Sequence, residues 1–356
     1  MEARRSPLDA AHRALGAHMG AFAGWEMPIS YAGTLSEHAS VRERVGLFDV
    51  THLGTIGVRG EGSAELLDRV LSNRMTDLTP GRARYTLILD ERAGIVDDII
   101  VYAFLPGEFL VVPNAANVDE VERRLREKAP DGVGIEQMLR AKIAVQGPRS
   151  RETLTAVLPD APALGYMRCA IVGDGVALAR SGYTGEHGYE VFATAEQAPA
   201  LWDGLLTAAR ERGGEPCGLA ARDTLRLEMG YPLHGNDIDT GTTPREAKLD
   251  WAVAASKPEF VGKAAFESQP PRKELVGLTM EDRVIPRRGA TIERGGRTIG
   301  TVTSGTFSPT LKNGIALAYV EPPGSLPVGE TVEVVVRGKR GKAKVTPPPF
   351  VGSSPK

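Results

Sequence analysis

The chain has 356 residues, enough for two or three domains, and its 42% hydrophobic and 25% charged content is that of a globular enzyme. A formal net charge of −2 leaves no polyanion-binding character in the total and argues against nucleic acid as a main partner. No run approaches the roughly 18 apolar residues of a membrane span, and two distant cysteines, Cys169 and Cys217, exclude a disulfide framework.

A cytoplasmic protein with no membrane association is expected. Arg4 and Arg5 are not followed by an apolar stretch, so the segment "SPLDAAHRALGAHMGAF" reads as amphipathic rather than as a leader. None of the six histidines pairs at i, i+4 and HExxH is absent, so no metal site is expected.

In chain order, residues 62–72 place Leu66, Leu67, Val70 and Leu71 at helical spacing. Three strand candidates follow at 83–90, 94–104 and 108–114, which read as an antiparallel meander with "ERAG" as its first turn. A helix is predicted over 117–129, with Asn117 at the N-cap and acidic residues in the first turn. Residues 142–147, 169–182 and 188–194 form a further strand set, and helices are predicted at 196–211 and 218–230. The run "ESQPPRKE" (267–274) reads as a linker. Beyond it, residues 275–350 alternate strongly, with a hairpin signal at Gly295–Gly296, and predict a small all-β barrel. The first ~260 residues mix strands and helices without the regular alternation of a parallel sheet.

Three stretches carry candidate chemistry. The strand "GIVDDIIVYAF" holds two carboxylates, Asp97 and Asp98, which strand alternation turns to opposite faces. Local turn bonds, a structural ion pair and catalysis are all open to them. "SGYTGEHGYEV" (181–191) spaces three glycines like a phosphate loop, but strands flank it on both sides. It therefore reads as a hairpin loop whose glycines supply positive φ. Glu190, inside the following apolar strand, needs donors if buried. "GLAARDTLRLEMG" sets Arg222, Arg226 and Met229 on one helical face, for which an exposed, ion-paired surface is the ordinary outcome.

Taken together, these stretches resemble the aminomethyltransferase, or T-protein, of the glycine cleavage system. The resemblance runs nearly end to end. It is carried by "FAGWEMPISY" (22–31), "EHASVRERVGLFDVTHLG" (37–54), "GIVDDIIVY", "VVPNAANVD", "VQGPRS", "SGYTGEHGYEV", "GLAARDTLRLEMGYPLHGNDID", "TTPREAKLDWAV", "FVGKAAF" and "IGTVTSGTFSPTLKNGIALAYVE" (299–321). It implies an α+β fold, a multi-domain cloverleaf of antiparallel sheets with helices plus a C-terminal all-β barrel. The expected division is 1–266 for the folate-binding region, made of two interleaved subdomains, and 275–352 for the barrel.

The resemblance also implies the reaction. The one-carbon unit on the aminomethyl-lipoyl arm of H-protein passes to tetrahydrofolate, a co-substrate, and ammonia is released. Carried over residue by residue, Asp98 is the functional aspartate, which would orient the attacking nitrogen and relay a proton. Asp97 is left to a structural role. Glu190 is the reader of the pterin edge, because a carboxylate matches two parallel N–H donors. Arg222 contacts folate, and Tyr85, Asn114 and Tyr183 line its site.

Two departures stand out: "THLG" replaces Ser-His-Met-Gly, and Lys248 and Asp250 stand where glycines are usual. A folate-dependent O- or S-demethylase shares the scaffold and is the alternative reading. A non-enzymatic folate-binding helper in iron–sulfur cluster maintenance is disfavoured, because neither cysteine lies in a Lys-Gly-Cys-Tyr context.

Overall fold

The strand set predicted around 142–194 is the core of a six-stranded sheet. Its order is Cys169–Val172, Val176–Ala179, Gly188–Ala193, Ala141–Gln146, Gly46–Asp49 and Glu215–Pro216. All neighbours are antiparallel except the last pair. Alternation then sorts the side chains. Leu47, Ile143, Val145, Leu178 and Val191 pack with Leu154, Trp202 and Leu205 into one core. The last three come from the helices Ser150–Val157 and Ala198–Arg210. Burying side chains of this size contributes roughly 1.5–3 kcal/mol each, which explains why the two helices cover this face.

The opposite face meets a five-stranded sheet. Tyr102 and Leu110 from that sheet join Cys169, Ala179 and Phe192 in a second apolar cluster. This sheet runs in the order Arg82–Leu89, Ile95–Leu105, Glu108–Val112, Ile56–Arg59 and Gly134–Gln137, and its first three strands are the predicted meander. The turn "ERAG" is held by Asp90, whose Oδ1 accepts from the N–H groups of Arg92 (2.9 Å) and Gly94 (2.8 Å). A three-stranded sheet of Arg4–Arg5, Trp25–Ser30 and His18–Phe22 was not legible in the sequence. The amphipathic N-terminal segment becomes the short helix Asp9–Ala14.

The architecture is α+β. The computed structural model describes residues 3–352. The chain divides into two compact units. One runs through Thr86 and resumes over Asp97–Arg222, and the other holds Leu87–Val96 and Asp223–Gly352. The division cuts the strand Ile95–Leu105 just before Asp97 and the helix Leu219–Glu228 just after Arg222. Among the described residues, no helix is long and apolar enough to cross a membrane.

In the second unit, the strands of 274–345 close into a six-stranded barrel. Val276, Leu278, Ile292, Val302, Ala318, Val334 and Val345 fill its core. The Gly295–Gly296 turn joins Thr291–Arg294 to Arg297–Ser308, with φ of 58° and 76° at the two glycines, the left-handed pair a two-residue hairpin needs.

Three expectations are corrected. The stretch 169–182 is not one strand but a hairpin, Cys169–Val172 and Val176–Ala179, turned by Gly173 (φ 52°) and Gly175 (φ 78°). Asn117 holds the N-cap position of the helix Val118–Lys128 but makes no side-chain cap bond there, and its Nδ2 donates to Asp97 Oδ1. Arg226 is 1% exposed instead of lying on an open face. It donates to Asp223 and Asp237, to Ser304 Oγ and to the Tyr231 carbonyl, each at 2.8–3.0 Å. A guanidinium satisfied at that many points can be buried where an unpaired one could not.

Candidate active site

The strand Ile95–Leu105 sends its two aspartates into different surroundings. Asp97 is fully buried. Its Oδ1 accepts from the side-chain amides of Asn114 and Asn117, both at 2.7 Å, and its Oδ2 accepts from the Asn114 backbone N–H at 3.0 Å. Burial and the neighbouring Asp98 charge push its pKa up to about 8, against the pull of the three N–H donors. Asp98 is half-buried. Tyr85 donates its phenol O–H to Asp98 Oδ2 at 3.0 Å, and Asn114 Nδ2 donates to Oδ1 at 2.9 Å. Burial, then Asp98, raises the Tyr85 pKa well above its ordinary value, so the phenol remains a donor. The structure thus brings Asp98, Tyr85 and Asn114 together.

A second group forms where the two sheets face each other. Glu190 sits opposite Ala144 and Ala179 in the six-stranded sheet and is 7% exposed. Tyr102, from the five-stranded sheet, donates to its Oε2 at 3.0 Å, and Ser181 donates to the same oxygen. Both protein donors thus converge on one carboxylate oxygen. The buried Tyr102 pKa is raised by desolvation and by Glu190, which keeps this donor protonated too.

Arg222 lies in the helix Leu219–Glu228. The entry to that helix is tied by the buried Glu37, which accepts from the Gly218 N–H at 2.8 Å. The Arg222 guanidinium stacks over the Tyr183 ring, 5.0 Å from its centroid. Its Nη1 is buried with no hydrogen-bond partner among the described residues. Burial lowers its pKa, while Glu190, Tyr183 and Tyr102 act electrostatically to raise it. Glu190, Arg222 and Tyr183 therefore share one electrostatic neighbourhood.

The glycine-rich loop has a different cause from the one expected. Only Gly185, at φ 79°, takes the left-handed conformation within it. Gly182 and Gly188 are bare because the Gln146 side chain crosses them. A Cβ at either would lie 2.1 or 2.3 Å from the Gln146 amide. Gln146 is buried and donates to the carbonyls of Ser181 (3.1 Å) and Tyr189 (3.3 Å), while Thr184 donates to its Oε1 (2.7 Å). That clamp presents both Ser181 and Tyr183.

Two groups near the site were missed in the sequence. His52, in the "THLG" stretch, is 4% exposed and its Nδ1 has no partner among the described residues. Burial, together with Arg222 and Lys142, lowers its pKa to about 3, so it is a neutral imidazole. Lys142, 1% exposed, points its ammonium at the carbonyls of Leu53 and Gly54. Burial takes its pKa down to about 7, offset by the charges of Glu190 and Asp49. An isolated Lys between Ala and Ile in an apolar strand carried no signal of this contact. Among the described residues, no group of three or more His, Cys, Asp or Glu could hold a metal ion.

The constellation offers acceptors at Asp98 and Glu190, an aromatic face at Tyr183 and a guanidinium donor at Arg222. Comparison with known proteins gives it a context. Residues 8–257 match the family model described as the GCVT N-terminal domain, and residues 273–352 match the glycine cleavage T-protein C-terminal barrel domain. An aminomethyltransferase of Mycobacterium bovis is 46% identical over 352 residues, covering 97% of this chain and 96% of the relative. One from a Parafrankia species is 47% identical over the full length of both chains. The crystal structure of glycine cleavage system aminomethyltransferase T from Bartonella henselae superposes with a TM-score of 0.93 at 37% identity, covering 99% of each chain. This chain belongs to the glycine cleavage T-protein family of aminomethyltransferases.

Proposed function

We propose that this aminomethyltransferase of the glycine cleavage system takes the one-carbon unit from aminomethyl-lipoyl H-protein and delivers it to tetrahydrofolate, with release of ammonia. The observation that carries the reading is the Glu190 carboxylate, held by protein through Oε2, in the electrostatic neighbourhood of Arg222, whose buried Nη1 has no hydrogen-bond partner among the described residues. A flat heterocycle with adjacent N–H donors and a ring acceptor satisfies both, and the reduced pterin has that edge. Tetrahydrofolate supplies the nucleophilic nitrogens that accept the one-carbon unit.

The chain's own residues bind and orient it. Glu190 accepts from the pterin edge. Arg222 supplies the opposing donor, and Tyr183 adds an aromatic face. Asp98, with its side chain held by Tyr85 and Asn114, accepts or relays the proton lost at the reacting nitrogen. Asn114 commits its amide N–H groups to the aspartates, so what it offers a ligand is its carbonyl oxygen.

The same proposal treats 1–266 and 275–352 as the two functional regions, which the family matches to residues 8–257 and 273–352 support. A reducing cytoplasmic setting is supported by the two free, buried thiols. The full-length likeness to aminomethyltransferases does not favour the demethylase alternative.

The test is direct. The protein, aminomethylated H-protein and tetrahydrofolate should yield methylenetetrahydrofolate and ammonia, and Asp98→Asn should fold normally with turnover down by roughly two orders of magnitude or more, the scale of a lost general base. Full turnover in Asp98→Asn would sink the role given to Asp98.

A further inference from the structure

Asp97 is the one buried carboxylate beside the proposed base that the binding scheme does not use, yet the structure provides for it fully. It takes three N–H donors and shares one of them with Asp98. Asn114 Nδ2 lies 2.7 Å from Asp97 Oδ1, 2.9 Å from Asp98 Oδ1 and 3.1 Å from the Asp98 carbonyl. An amide nitrogen has two protons, so this one sits at a fork between the carboxylates. Its position is set from the Asp97 side, where the Asn114 backbone N–H and the Asn117 amide complete the shell. The titratable groups acting here are Asp98 on the same strand and Tyr85 on the adjoining strand, and the turn at 114–117 contributes uncharged amides.

We propose that Asp97 is a positioning residue for the transfer: through the shared Asn114 amide it fixes the orientation of Asp98, and the two carboxyls hold a single negative charge between them. Once one of the two carboxyls is ionised, its charge disfavours ionisation of the other. The two carboxyls then take up protons as a pair rather than independently. The upward displacement of the Asp97 carboxyl agrees with this arrangement.

The inference rests on the reading of Asp98 as the functional aspartate, and the experiment separates the two. The pH dependence of kcat/KM is measured for the wild type, Asp97→Asn, Asn117→Ala and Asp98→Asn, with aminomethylated H-protein and tetrahydrofolate. In Asp97→Asn the second ionisation of the pair is gone, so the change in rate that accompanies it near pH 8 should disappear while the acid limb stays within about half a pH unit. kcat should fall about tenfold, and KM for tetrahydrofolate should stay within about twofold. Asn117→Ala leaves both aspartates in place and removes one donor from Asp97. It should move the change near pH 8 upward rather than abolish it, and it decides the matter if Asp97→Asn does not fold. A purely structural role would lower activity and leave that change where it is. A wild-type profile near pH 8 in the folded variants, with Asp98→Asn inactive, overturns the role of Asp97 and leaves that of Asp98 standing. Full activity in Asp98→Asn overturns the reading of Asp98 itself.

Discussion

Glu190 shows how two hydroxyls can fix a buried carboxylate through one of its oxygens. Its Oε2 is committed to Tyr102 and Ser181, and that commitment fixes the direction of Oε1. Replacing it with Gln keeps the shape but swaps an acceptor for a donor, or turns a donor toward two hydroxyls. Glu190→Gln should therefore raise the Kd for tetrahydrofolate about 10- to 100-fold, the worth of one or two charge-assisted bonds, with little change in the urea midpoint. Titration calorimetry checks this, and unchanged affinity would remove Glu190 from the ligand contacts. The need for donors at Glu190 was legible in the sequence, since a carboxylate between Tyr189 and Val191 must be paired if buried. The identity of those donors was not, because Tyr102 lies 88 residues away and on another sheet.

Among the elements, the 181–191 loop is the instructive one. Its glycines read as conformational, yet two of the three are there for contact. Gln146 reaches under the loop from the neighbouring strand, held at three points, and cannot easily retreat. Gly182→Ala should therefore cost about 1–3 kcal/mol, the usual penalty of overpacking, and should weaken tetrahydrofolate binding by displacing Tyr183. Gln146→Ala removes the obstructing atoms, so the cost of Gly182→Ala should shrink in that background. A double-mutant cycle by urea denaturation measures the coupling, and additive costs would show that the clash is not with Gln146. The opposite lesson comes from the aspartate strand. There, period-two alternation alone separated Asp97 from Asp98, and in the structure one is fully buried and the other half-buried.

For the molecule as a whole, the buried site groups leave a mark on pH stability. His52 has a folded pKa of about 3 against an ordinary 6.5. Between those values the unfolded chain binds a proton that the folded chain does not. The stability His52 permits is complete above about 6.5 and is lost as pH falls toward 3. At pH 5 the loss is on the order of 2 kcal/mol. Asp97 acts in the other sense, because its folded pKa, about 8, lies above its ordinary 3.8, so its contribution is lost as pH rises through 8. The difference between parent and His52→Phe isolates the first effect, since both chains keep Asp97. His52→Phe should lose less stability than the parent between pH 7 and pH 5, and equal losses by urea denaturation would refute the neutral, buried state assigned to His52. By itself the sequence determined the meander, the barrel and the family, because periodicity, turn residues and motifs are local or lie in order along the chain. Only the tertiary structure decided that Arg226 is buried and fourfold paired, that Asn117 serves Asp97 rather than its helix, that Gln146 shapes the glycine loop, and that His52 and Lys142 lie near the site. Each of these depends on which distant group fills the space or supplies the hydrogen bond, and burial sets the energy at stake.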